Sequence, residues 1–115
     1  MIFIYVFLGG GIGSMLRYGA SFIHIPHSTL VVNILGSFLI GLFYSLSSRF
    51  GWSDSTRLLL TTGLCGGFTT FSTFSNESLE LIKSGNYFYA ISYILVSIII
   101  GILAAWFGYY VTKVF

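Results

Sequence analysis

The sequence predicts an all-α membrane protein: four transmembrane helices with a break in the third, assembled as an antiparallel dual-topology dimer. Three observations carry this. First, 56% of the 115 residues are hydrophobic and only 7% are charged, where a soluble domain carries about 25% charge. The mean hydropathy of +0.93 agrees. Second, the apolar residues fall into four stretches separated by short polar turns. A spanning helix needs about 20 apolar residues to cross roughly 30 Å of hydrocarbon, so four of them nearly consume the chain. Residues 1–115 are therefore expected to form a single four-helix transmembrane domain, with no room for a second. Third, the basic residues are almost evenly shared between the two faces, as set out below.

The first span runs from about Ile2 to Ile23 and holds one charge, Arg17. Its start lacks a basic segment and a small-residue cleavage site, so it reads as a retained span rather than a signal peptide. His24, Pro26 and His27 mark the first turn. The second span, about Thr29 to Ser48, has no charge. Arg49, Gly51, Asp54 and Arg57 make the second turn, with Ser53 or Asp54 as helix N-cap. The third span starts near Ser55 and is apolar through Leu60. It then becomes irregular: Thr61, Thr62, Gly63, Gly66 and Gly67 lead into Thr69–Ser75, and Gly85–Asn86 closes the element. The fourth runs from about Tyr87 to Val114. Tyr5, Tyr18, Trp52, Tyr87, Tyr89, Tyr109 and Tyr110 lie near span ends, as interfacial anchors or ordinary packing residues.

Cytoplasmic loops normally hold the excess of Lys and Arg. Here one face holds Arg49, Arg57 and Lys113 and the other Arg17 and Lys83. So weak a bias permits insertion in either orientation, and with it pairing with an inverted copy. A partner protein that fixes the orientation is the other reading. The net charge of +2 and the lack of a basic stripe argue against a nucleic-acid partner. The single cysteine, Cys65, cannot form an intrachain disulfide and reads as a small packing residue. Gly9–Gly13 and Gly63–Gly67 are GxxxG spacings, better read as close helix contacts than as nucleotide loops. His24 and His27 lack a third ligand for a metal. No catalytic constellation is present, so an enzyme is not expected.

The polar residues of the spans carry the functional signal. Thr69 to Phe74 hold four hydroxyls behind Gly66 and Gly67, a composition that bends or breaks a helix. Broken membrane helices create ion sites, because freed carbonyls attract cations and helix N-termini attract anions. The alternative is a continuous helix whose hydroxyls bond back one turn. Phe71 and Phe74 share a face at i, i+3, and their positive ring edges can favour an anion, although lipid-facing packing explains two Phe equally well. Asn33 either offers amide donors to an anion path or makes an interhelical hydrogen bond; Ser37 lies one turn on. Arg17 either snorkels or lines a polar vestibule, with Glu77 on the same side. Tyr93, Ser97 and Gly101 recur at i, i+4, i+8, forming a polar rail or a small-residue seam.

Three segments resemble the Fluc (CrcB) family of fluoride channels: Gly10–Tyr18 (GGIGSMLRY), Thr29–Phe38 (TLVVNILGSF) and Thr61–Ser75 (TTGLCGGFTTFSTFS). The third is long and specific. The resemblance implies a fluoride-selective channel in the cell membrane that lets F⁻ leave passively and so lowers its toxicity. Fluoride enters from acidic media as HF and dissociates inside. It further implies an antiparallel homodimer, or a heterodimer with an oppositely oriented homologue, with two pores. A structural, non-transported Na⁺ would be held by the backbone carbonyls of Gly66 and Thr69. Phe71 and Phe74 would line the pore with Asn33, Ser72, Thr73, Tyr93 and Ser97, and Arg17 and Glu77 would belong to the vestibule. Gly101 stands where some members carry a hydroxyl. A small multidrug-type antiporter would need a carboxylate in the first span, which holds only Arg17. A non-transporting subunit would leave the hydroxyl cluster without a purpose.

Overall fold

The computed structural model describes residues 2–23 and 27–114, and these are helical with no strand among them. Helix α1 spans Ile2–Ala20, α2 Ser28–Phe50 and α3 Asp54–Leu58. A π-helical segment, Leu59–Cys65, continues α3 into α4, Gly66–Phe68. Helix α5 spans Phe71–Lys83 and α6 Tyr87–Val114. The helices α1, α2 and α6 are each long and apolar enough to cross a membrane. The third stretch is instead made of four helical pieces, α3 to α5. Helix α1 ends three residues before the expected Ile23, and His24 and Pro26 lie outside the described residues.

Local chemistry accounts for the ends. Ser53 caps α3, its hydroxyl accepting from the Thr56 N–H at 3.3 Å. Helix α5 ends in a left-handed Gly85 (φ 85°). The Asn86 N–H bonds the Leu81 carbonyl and the Gly85 N–H the Ile82 carbonyl, so two orphan acceptors are satisfied. The widened turn at Leu59–Cys65 was not foreseen from the sequence. Within it the Gly66 N–H reaches back to the Thr61 carbonyl, five residues earlier, while the Thr61 hydroxyl bonds the Arg57 carbonyl at 2.6 Å.

Packing is inverted relative to a water-soluble domain. The buried hydrophobic residues are Val32, Cys65 and Ala90, whereas Thr29, Ser45, Ser47, Thr61, Ser78 and Thr112 are buried polar residues. Large apolar side chains point outward along α1 and α6. Such a surface suits lipid, where helices associate through small residues and hydrogen bonds rather than by expelling water. The main contacts join α2 to α6, and α1 to the π segment and α4. Both seams are glycine contacts. A Cβ at Gly13 would run into the Leu64 carbonyl, and one at Gly67 into the Gly10 carbonyl. Across the other seam, Gly41 abuts the Ala105 carbonyl and Gly108 the Phe38 carbonyl. The GxxxG pairs are thus helix contacts.

Candidate functional site

The site forms where the helical path is interrupted. Thr69 (φ −84°, ψ 157°) and Thr70 (φ −145°, ψ 118°) are extended, between α4 and α5. The Thr69 N–H still bonds the Cys65 carbonyl as in a helix, but both backbone groups of Thr70 find a partner outside it. The Thr70 N–H donates to Asn33 Oδ1 at 2.8 Å. Asn33 Nδ2 donates in return to the Thr70 carbonyl at 3.1 Å. The Thr73 N–H donates to Thr70 Oγ1 at 3.1 Å, which makes Thr70 the N-cap of α5. Arg17 Nε donates to the Gly67 carbonyl at 3.2 Å. The Thr69 hydroxyl bonds back to the Cys65 carbonyl at 2.9 Å, as a continuous helix would have it. Gly36 on α2 leaves room for the Thr69 methyl.

This pattern frees two carbonyls. In an α-helix the Thr70 N–H would bond the Gly66 carbonyl and the Thr73 N–H the Thr69 carbonyl. Asn33 and the Thr70 side chain take those donors instead. Neither the Gly66 nor the Thr69 carbonyl accepts a hydrogen bond among the described residues. Gly66 is exposed, and an unsatisfied carbonyl facing hydrocarbon costs several kcal/mol. Carbonyl oxygens left without donors are of the hard type that binds small cations.

Beside the interruption lies an open cavity of about 330 Å³ between α2, α5 and α6. Asn33, Phe71, Phe74 and Ser97 line it, with Ser37 and Gly101 further along. Phe71 is 78% exposed, so its ring stands at the rim. The Phe71 and Phe74 ring centroids are 5.7 Å apart, and Phe74 meets Tyr93 at 5.4 Å. The three rings thus form a continuous aromatic row. Ser97 Oγ is buried and has no hydrogen-bond partner among the described residues.

Toward the α5–α6 connection a second cavity, of about 600 Å³, is lined by Glu77, Tyr93, His27 and Glu80. Glu77 accepts from Tyr93 Oη at 2.6 Å and from Thr29 Oγ1 at 2.9 Å. The other two acids are in surface pairs, Asp54 with Arg57 and Glu80 with Lys83. Glu77 therefore differs in being held by hydroxyls. Arg17 and Thr73 line a third cavity of about 160 Å³ with Thr29 and Thr70. Ser72 is exposed, 3.3 Å from Thr70 Oγ1, and lines none of these cavities.

The structure thus gathers Asn33, Phe71, Phe74 and Ser97 in one cavity, with Gly66 and Thr69 on its wall. It places Glu77 with Tyr93, and Arg17 with Thr73. Two residues were not singled out from the sequence. Thr70 was one hydroxyl among four, though a Thr directly before an apolar residue that opens a helix is an N-cap signal. Thr29 stands one turn before Asn33 on α2, and that i, i+4 spacing was the available clue.

The family described as CrcB-like protein, Camphor Resistance (CrcB), matches residues 4–109. The chain belongs to the CrcB family. Curated CrcB relatives are named fluoride-specific ion channel FluC. The protein from Phocaeicola vulgatus is 50% identical over 115 residues, covering 94% of this chain and 95% of its own. One from Bacteroides fragilis is 47% identical, covering 97% and 96%. One from Azobacteroides pseudotrichonymphae is 43% identical, covering 94% and 93%. CrcB membership makes this an integral membrane protein of an ion-channel family, not an enzyme. In a CrcB protein the polar groups around the interruption become candidates for an ion path rather than for catalysis.

Proposed function

We propose that the chain is a passive, fluoride-selective channel of the cell membrane, crossing it four times and releasing F⁻ down its electrochemical gradient. The observation that carries this reading is the unpartnered Ser97 hydroxyl in the cavity that Phe71, Phe74 and Asn33 also line. Fluoride is small and strongly hydrated, so its water must be replaced by close donors. Hydroxyls and ring edges supply them without a fixed positive charge that would trap the ion. Conduction needs binding weak enough to release.

The roles follow from position. Asn33 holds the interruption open through Thr70 and lends its second amide N–H to the path. Phe71 and Phe74 present ring edges, Ser97 and Tyr93 present hydroxyls, and Ser72 and Thr73 stand at the N-terminus of α5, whose dipole favours anions. Arg17 raises the anion concentration at the mouth. Glu77, held by Thr29 and Tyr93, sits at the side where Tyr93 begins the rail. The Gly66 and Thr69 carbonyls would hold a structural Na⁺, whose positive charge would help fix the interruption. The broad apolar surface and the near-balanced charge support an antiparallel dimer, formed with a second copy or with an inverted homologue.

Purified chain in liposomes tests this with ion-selective electrodes. F⁻ should leave and Cl⁻ should stay; equal Cl⁻ flux, or strict coupling to protons, would exclude it. Tagging the termini tests the pairing, since a uniformly oriented population rules out the antiparallel homodimer.

A further inference from the structure

Helix α6 carries a hydroxyl at Tyr93 and at Ser97, one turn apart, and then none at Gly101. The gap could reflect packing, as it does at Gly41 and Gly108, where an added Cβ would meet a facing backbone carbonyl. Gly101 differs. A Cβ built there meets one atom within 4 Å, Ser37 Oγ, at 3.7 Å. That is ordinary van der Waals contact, so close approach of the helices does not require glycine here. The space in front of Gly101 belongs to the cavity, which Ser37 and Ser97 both line.

Of the four hydroxyls that line this cavity, Thr69 and Thr70 are paired, and Ser37 and Ser97 are not. The hydroxyls of the buried residues are all paired: Thr61 with the Arg57 carbonyl, Ser78 with Phe74, Ser47 with Tyr44, Thr112 with Tyr109, Ser45 with Thr112, and Thr29 with Glu77. The half-buried Ser37 makes no hydrogen bond among the described residues, and neither does Ser97. A helical serine can satisfy its hydroxyl on the carbonyl one turn back. Two that do not, on facing helices of one cavity, leave their donors for something that passes between them.

We infer that Ser37 is an anion-contacting residue: its hydroxyl continues the polar rail beyond Ser97, on the α2 side, across from the side chain that Gly101 lacks. The rail therefore changes helix within the cavity. This rests on the fluoride-path reading above and adds a residue that determines passage.

Fluoride efflux from liposomes, read with an electrode, tests it with four proteins: wild type, Ser37→Ala, Gly101→Ser, and both together. Ser37→Ala should lower the rate about tenfold or more, the worth of one hydrogen bond to an ion. Adding Gly101→Ser should recover most of that loss, because the 3.7 Å site accepts a Cβ and returns a hydroxyl from α6. Rescue separates a role in contact from one in α2 packing. Wild-type flux in Ser37→Ala overturns the inference, and so does a double variant as slow as Ser37→Ala. If Ser37→Ala does not fold, the isosteric pair Ser37→Thr and Ser37→Val replaces it. Threonine should keep the flux and valine lose it, and equal rates overturn the inference. A wild-type chain that passes no fluoride would instead defeat the channel reading itself.

Discussion

Asn33 on α2 grips both backbone groups of Thr70, accepting from its N–H at 2.8 Å and donating to its carbonyl at 3.1 Å. One amide side chain thus replaces the peptide partners that a continuous helix would have supplied. The Gly66 carbonyl loses its donor as a direct result.

Asn33→Ala should therefore act on the interruption and not only on a surface of the cavity. It leaves the Thr70 N–H and carbonyl unpaired, at a cost of about 1–3 kcal/mol for a buried group. Helix closure across Thr69 and Thr70 would compete to satisfy them. The expected result is a lower melting temperature in detergent together with a large loss of fluoride flux. Retained stability with lost flux would instead make Asn33 a contact for the ion alone.

Glu77 accepts from Tyr93 and Thr29 and so ties α5 to α6 and α2. Tyr93→Phe keeps the ring against Phe74 and removes one hydrogen bond to a carboxylate, worth about 1.5–3 kcal/mol. In a Glu77→Ala background the same change should cost little, because its partner is gone. Chemical denaturation of the four proteins in detergent measures that coupling; additive costs would contradict the tie.

The glycine seam of α1 gives a paired prediction. Gly13→Ala forces a methyl toward the Leu64 carbonyl, and overpacking of this kind costs about 1–3 kcal/mol. Gly11→Ala meets nothing within 4 Å and should be neutral or stabilising by up to about 1 kcal/mol through helix propensity. Thermal unfolding in detergent should separate the two variants clearly.

Much of this was legible because membrane chemistry is strict. Long apolar runs announced α1, α2 and α6, and Ser53 and Gly85 announced helix ends. The paired glycines announced close contacts, since few other residues permit backbone approach. Thr69–Phe74 stood out because four hydroxyls in an apolar stretch require partners. What those partners are was not legible. The two readings of Asn33 were left open, and the structure favours the interhelical bond, with one amide N–H to spare. That outcome depends on α2 lying beside Thr70, a relation 37 residues apart in the chain. The π turn at Leu59–Cys65 was not legible either: Thr61, Thr62 and Gly63 announced irregularity but not its form, and Gly9 and Gly13 pack against its backbone from a distant part of the chain. Arg17 was expected at a vestibule or snorkelling, and the bond from its Nε to the Gly67 carbonyl is an addition to those readings. No local pattern signals a side chain reaching a carbonyl freed elsewhere.

The aromatic row of Phe71, Phe74 and Tyr93 links the cavity at the interruption to the Glu77 side. The most direct test of the central claim is fluoride efflux from liposomes containing Phe71→Ile or Phe74→Ile, beside wild type and with the assembly checked by size exclusion. Each isoleucine keeps an apolar side chain but removes the ring edge. The account predicts that flux falls by tenfold or more in both variants while the assembled protein elutes unchanged. Wild-type flux through both would contradict it, because fluoride would then be crossing without the rings that define this path.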